Sequence, residues 1–212
     1  MLTFLPMTTI RADLVRQGLL LNWLTIAYNA VEAIISIIAG VVAGSVALLG
    51  FGVDSVIEVT ASGAAQWRLR ADIDPERRER VERVTLRVIG VTFLALAAFV
   101  AYESIETLWN QEAPDRSWLG VAILTLSVIV MPVLARAKRR VARSLGSRSL
   151  EADAAQTSLC AYLSVIALVG VALNAVVGWW WADPMAALVM VPIIAREGVE
   201  AWRGEDSCDD CA

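Results

Sequence analysis

The sequence predicts an all-α integral membrane protein with six transmembrane helices, and three observations carry that prediction. First, 58% of the 212 residues are apolar and only 19% are charged, with a mean hydropathy of +0.62. A soluble domain carries about 45–50% apolar and about 25% charged residues, and this apolar fraction is enough for six spans of roughly 20 residues each. Second, the apolar residues fall into six long runs separated by short polar links. Membrane-spanning strands would be shorter and would alternate in polarity, which these runs do not. Third, the basic residues collect on one side of the membrane. Together these exclude a soluble domain and a single anchor bearing a large soluble head.

Residues 1–17 read as a cytoplasmic N-terminal tail. Its apolar run, residues 1–10, has no basic region before it and is followed by Arg11, Asp13 and Arg16, so it is not a cleavable signal. Residues 18–202 form the membrane domain. The first two runs are residues 18–43 and 45–67, and a polar stretch over 68–83 leads to the third, 84–109. After a short link (110–116) comes the fourth, 117–135, and a basic link (136–148) precedes the fifth, 150–177. Residues 178–181 turn into the sixth, 183–202. Asp183 reads as the N-cap of that helix, with Pro184 at its first position. Pro132 and Pro192 are kinks of the kind that spans tolerate. Residues 203–212 are an acidic cytoplasmic tail holding Cys208 and Cys211.

Charge sets the orientation. Arg11 and Arg16 precede the first helix, and Arg68, Arg70, Arg77, Arg78, Arg80, Arg83 and Arg87 surround the link between helices 2 and 3. Arg136, Lys138, Arg139, Arg140, Arg143 and Arg148 lie in the link between helices 4 and 5, and Arg196 and Arg203 close helix 6. Only Arg116, of 18 basic residues, falls on the other side. The positive-inside rule then puts both termini in the cytoplasm. Trp67, Trp109, Trp118, Trp179, Trp180, Trp181 and Trp202 fall at helix ends, where amphipathic rings prefer the interface.

Function is carried by the polar residues inside the spans. An ionisable side chain there costs about 2.5–3.5 kcal/mol on insertion scales and marks a functional site by default. Helix 2 carries Asp54 and Glu58, four apart and so on one face. Helix 1 adds Glu32, with Asn29 three residues before it, and helix 5 carries Asp153, Gln156 and Cys160 on one stripe. Every basic residue reads as lying at a helix end or in a link, so Asp54, Glu58 and Glu32 are expected to have no resident ion-pair partner. A buried carboxylate is then neutralised by a proton or by a bound cation. A site that exchanges one for the other is what a proton-coupled cation transporter requires. Protonated acids bonding between helices are the structural alternative, but two acids one turn apart exceed what packing needs. Glu103 and Glu106, near the outer end of helix 3, read as solvated. The chain has no histidine and no serine set beside a recognisable base, so no enzyme activity is expected.

These residues resemble the cation diffusion facilitator family. "NAVEAIISIIAGVVAGSVALLGFGVDSVIE" (29–58) looks like that family's first two helices, "LEADAAQTSLCAYLS" (150–164) like its fifth, and "GWWWADPMAALV" (178–189) like its turn into the sixth. The resemblance implies a cation-efflux-type transmembrane domain acting as a homodimer. In it a tetrahedral divalent-metal site lies between helices 2 and 5, and metal leaves the cytoplasm in exchange for protons by alternating access. Carried over by position, the metal ligands are Asp54 and Glu58 with Gln156 and Cys160. The helix 5 pair departs from the family's usual histidine or aspartate followed by aspartate. Zinc accepts thiolate and carboxylate ligands, and a thiolate favours a softer metal, so zinc is the expected cargo, ahead of cobalt, manganese or iron.

Glu32 and Asp153 are secondary candidates. Cys208 and Cys211, a C-x-x-C among Glu205, Asp206, Asp209 and Asp210, are half of a zinc site and could bind a soft ion loosely. The family usually carries a cytoplasmic domain after helix 6, so the resemblance points to a compact member without it. The expected partners are a divalent metal ion, protons, the lipid bilayer and a second copy of the chain, with no resident cofactor and no nucleic acid. The expected location is a bacterial-type cytoplasmic membrane. The alternative function is a non-transporting membrane protein that binds metal or regulates a partner.

Overall fold

The computed structural model consists of six helices: α1 (Met7–Ala43), α2 (Val46–Arg70), α3 (Pro75–Asn110), α4 (Trp118–Leu145), α5 (Arg148–Val177) and α6 (Ala182–Arg203). It describes residues 7–70, 75–145 and 148–203, leaving aside the side chains of 7–12, 64, 65, 67–86, 148, 149 and 152. The side chains of Arg11, Trp67, Arg68, Arg70, Arg77, Arg78, Arg80, Arg83 and Arg148 therefore lie outside the description, as do Cys208 and Cys211 with the rest of the tail from 204.

The helices outrun the apolar segments that announce them. α1 begins at Met7, so residues 7–17 of the expected tail continue the first helix. α3 begins at Pro75 inside the polar stretch, a proline at the first helical position where its missing N–H is harmless. α4 runs through the basic link as far as Leu145. Apolar runs measure the depth of the bilayer, whereas Arg, Lys, Glu and Ala sustain a helix beyond it. A helix ends only at a cap or a breaker. Gly44 (φ 65°) and Gly178 (φ 77°) end α1 and α5 in the left-handed conformation that glycine adopts without penalty. At the first of these the Ser45 N–H closes back on the Gly40 carbonyl at 3.0 Å.

Asp183 corrects the capping expectation. α6 already starts at Ala182, and the Met185 N–H bonds the Trp181 carbonyl at 3.1 Å, which puts Asp183 inside the first turn. Its carboxylate crosses instead to α2, accepting hydrogen bonds from the Ser45 hydroxyl and from the Ala47 N–H at 3.3 Å. Ser45 itself caps α2, its oxygen accepting the Leu48 N–H at 3.2 Å.

Four helices close a ring in which α1 packs on α2, α2 on α5, α5 on α4 and α4 on α1. α3 and α6 pair outside it, α3 against α2 and α6 against both α5 and α2. The pair crosses closely at two glycines: a Cβ on Gly90 would stand 2.7 Å from the Gly198 carbonyl oxygen and 2.7 Å from the Trp202 backbone nitrogen. Small residues of this kind allow helices to approach within a membrane.

Leu48, Phe51, Phe93, Val100, Leu124, Met131 and Met190 fill the interior, while Val31, Ile34, Ile38, Val41, Ile129, Val133 and Val169 face outward and exposed. Apolar exposure on this scale suits lipid rather than water. Among the described residues, five helices are long and apolar enough to cross a membrane. The sixth, α6, has 22 residues and carries Asp183, Arg196, Glu197, Glu200 and Arg203. With Asp183 at the start of α2 and Gly198 on Gly90, it runs the height of the ring beside α3.

Candidate metal site

Polar residues recur at helical spacing along the inner faces of the ring. On α1, Asn22, Thr25, Asn29, Glu32 and Ser36 are all fully buried, and their alternating steps of three and four place them on one face. α2 contributes Asp54, Ser55, Glu58, Ser62 and Gln66, α4 Ser127 and Lys138, and α5 Asp153, Thr157, Cys160 and Ser164, all buried.

Asp54 and Glu58 sit on successive turns of α2, 2% and 0% exposed. The Cys160 thiol of α5 lies against both carboxylates, and Thr157 lies against Glu58. Neither Glu58 carboxylate oxygen makes a hydrogen bond of ordinary geometry, although Cys160 and Thr157 both adjoin it. The structure thus brings three of the four expected ligands to one place. Gln156, the fourth, is half-buried, whereas its neighbour Thr157 is fully buried. One residue along a helix turns the side chain by about 100°, which sets Gln156 and Thr157 on either side of the direction of Cys160, and it is Thr157 that lies on the buried side. Among the described residues, no three Cys, Asp or Glu side chains converge tightly enough to hold an ion as they stand.

Glu32 stands on the α1 side of this group. Its Oε2 accepts a hydrogen bond from the Ser55 hydroxyl at 3.1 Å, and its Oε1 has no partner. The hydroxyls of Tyr28 and Ser127 adjoin it.

Asp153 is engaged elsewhere. Its Oδ2 lies 2.7 Å from the Lys138 ammonium, both side chains being almost wholly buried, and its Oδ1 accepts the Ser62 hydroxyl at 2.8 Å. The expectation that every basic residue lies at a helix end or in a link is therefore corrected. Lys138 belongs not to a solvated link but to the buried face of α4, and its charge acts on Glu58 as well as on Asp153. The reason is geometric: α4 continues helically past residue 135, and its buried stripe of Leu124, Ser127, Met131, Ala135, Lys138 and Ala142 carries the lysine inward. That 3–4 spacing was the signal available in the sequence, as was the α1 stripe for Asn22 and Thr25. Nothing comparable distinguished Thr157 from Gln156.

A ring of membrane-length helices with carboxylates, a thiol and an ammonium on its inner faces defines a polytopic membrane protein built to handle charge within the bilayer. The chain belongs to the cation efflux family, the cation diffusion facilitators: the family's model of the cation efflux transmembrane domain matches residues 23–203. This is a family of transporters. The chain is 28% identical over 153 residues to an uncharacterized transporter of Synechocystis, covering 69% of this chain and 49% of that protein. It is 26% identical over 169 residues to the magnetosome protein MamB of Paramagnetospirillum magneticum (77% and 57%). To the cation-efflux pump FieF of Shewanella oneidensis it is 22% identical over 172 residues (78% and 58%). The chain thus spans about half the length of these curated relatives.

Proposed function

We propose that the chain exports divalent transition-metal cations, zinc foremost, in exchange for protons, with Asp54, Glu58 and Cys160 as ligands and Gln156 completing the set. The observation that carries this reading is Glu58, whose carboxylate is fully buried one turn from Asp54 and against the Cys160 thiol, with neither oxygen in a hydrogen bond of ordinary geometry. A buried polar group left unpaired costs about 1–3 kcal/mol, and more when charged. A proton or a metal ion relieves that cost equally well, so loading one releases the other. Carboxylate and thiolate oxygen and sulfur suit zinc. Ligands that approach one another without a finished cage suit an ion that must also leave. Glu32 and Asp153 stand behind the site as secondary groups, and the Cys208–Cys211 pair of the tail offers soft ligands. With both termini on the cytoplasmic side of a bacterial-type inner membrane and two copies per transporter, the direction of export matches the relative named as a cation-efflux pump.

The test is flux in proteoliposomes carrying a zinc-sensitive dye inside and a pH-sensitive dye in the same lumen. Zinc entry accompanied by opposing proton movement is the expected result. Zinc movement without proton movement would overturn the antiport, and saturable binding with no movement would favour a non-transporting metal-binding protein.

A further inference from the structure

Of the five basic residues on α4, Arg136, Arg140 and Arg143 are exposed and Arg139 is half-buried, but Lys138 is fully buried. Its ammonium stands 2.7 Å from Asp153 Oδ2 and donates to the Thr157 hydroxyl at 3.1 Å. Thr157 in turn donates to the Asp153 carbonyl at 3.0 Å. The other Asp153 oxygen is held by Ser62, whose carbonyl accepts the Asn22 side-chain amide at 3.0 Å. One polar belt therefore joins α4, α5, α2 and α1, a single turn of α2 below Glu58.

Such a pair is an expensive way to hold helices together. Taking two charges out of water costs several kcal/mol per ion, and apolar residues of similar volume often do as well or better. What the pair adds is a fixed positive charge beside acids that would otherwise attract any cation. We propose that Lys138 is a tethered counter-cation that makes the Asp54–Glu58 site selective for divalent over monovalent cations. The inference rests on the transport reading above.

Its physical basis is competition. A potassium or sodium ion reaching Asp153 or Glu58 brings no more charge than the ammonium already there. It must also shed its water and give up translational freedom, which the ammonium, fixed to α4, does not. A divalent ion brings twice the charge and can gain at Glu58 and Asp54 despite the repulsion from Lys138. Its role is to raise the threshold that an entering ion must meet. It is a positioning residue and need not touch the metal.

The test uses the full chain in liposomes with equal potassium on both sides, so that no membrane potential is imposed. Zinc uptake is followed as potassium is raised in the wild type, in Lys138→Arg, in Lys138→Met and in the double variant Lys138→Met/Asp153→Asn. The double variant removes both charges together, so no buried ion is left unpaired should the single variant fail to fold. In the wild type and Lys138→Arg, half-saturating zinc should not move with potassium. In Lys138→Met, zinc should bind about tenfold more tightly at low potassium, the effect of removing one like charge from a partly desolvated site, and potassium should then compete; the double variant, which removes one charge of each sign, should shift the same way by less, because Lys138 acts on Glu58 more strongly than Asp153 does. Folded variants whose zinc affinity and potassium insensitivity equal those of the wild type would overturn the role of Lys138 while leaving transport intact. A wild type that moves no metal would instead overturn the transport reading.

Discussion

The Ser45 hydroxyl at the start of α2 donates to the carboxylate of Asp183 in the first turn of α6, residues 138 positions apart in the chain. The same carboxylate receives the Ala47 N–H, so an acid on one helix satisfies the N-terminal donors of another. Because α2 carries Asp54 and Glu58, this contact helps to set their height within the ring.

Removing that carboxylate is expected to cost about 1–2 kcal/mol, the usual loss for a helix cap. Asp183→Ala should therefore lower the unfolding temperature in detergent, followed by circular dichroism. Asp183→Asn, which keeps one acceptor, should lose less. An unfolding temperature unchanged in Asp183→Ala would remove Asp183 from the capping of α2.

Two helix glycines, one tightly packed and one open, give a contrast in sign. Gly90→Ala forces a methyl to within 2.7 Å of the α6 backbone, and overpacking of this kind costs about 1–3 kcal/mol. Gly63→Ala meets nothing within 4 Å and removes a helix-interior glycine, which should stabilise by about 0.5–1 kcal/mol. Parallel thermal melts of the two variants check both signs.

Asp54→Asn and Glu58→Gln are expected to abolish zinc flux while the protein elutes and melts like the wild type. Each retains the side-chain volume and removes the charge that binds the ion. Normal transport by both would displace the site from α2.

On α5, Gln156→His offers an imidazole where an amide is a poor zinc ligand and should tighten zinc binding by about tenfold, some 1.4 kcal/mol. An unchanged titration would leave Gln156 outside the ligand set, as its partial burial beside the fully buried Thr157 allows. Cys160→Ser, read in competition assays, should move preference from zinc and cobalt toward manganese, because a hydroxyl is a harder ligand than a thiolate. An unaltered preference order would exclude Cys160 from contact with the metal.

Much of the architecture was legible from composition alone. Runs of apolar residues count the helices because the bilayer core demands about 20 such residues per crossing. The i, i+4 spacing of Asp54 and Glu58 put them on one face without any knowledge of neighbours. Helix ends were less legible, since polar helix formers such as those of residues 136–145 carry α4 beyond the apolar run. Lys138 was misplaced for the same reason. Read among five arginines in a basic link it resembles its neighbours, and only the direction of α4 separates the one that turns inward from those that face out.

The sequence by itself determined that this is a six-helix membrane protein with acids in its interior, because hydropathy and charge act residue by residue and need no partner. Tertiary structure decided which polar groups meet. It closed α1, α2, α4 and α5 into a ring and set Cys160 against Asp54 and Glu58. It gave Asp183 to α2 rather than to its own helix, and paired Asp153 with Lys138. Those choices depend on the rotation and height of each helix against its neighbours, which packing at positions such as Gly90 and Gly198 fixes and no linear pattern records.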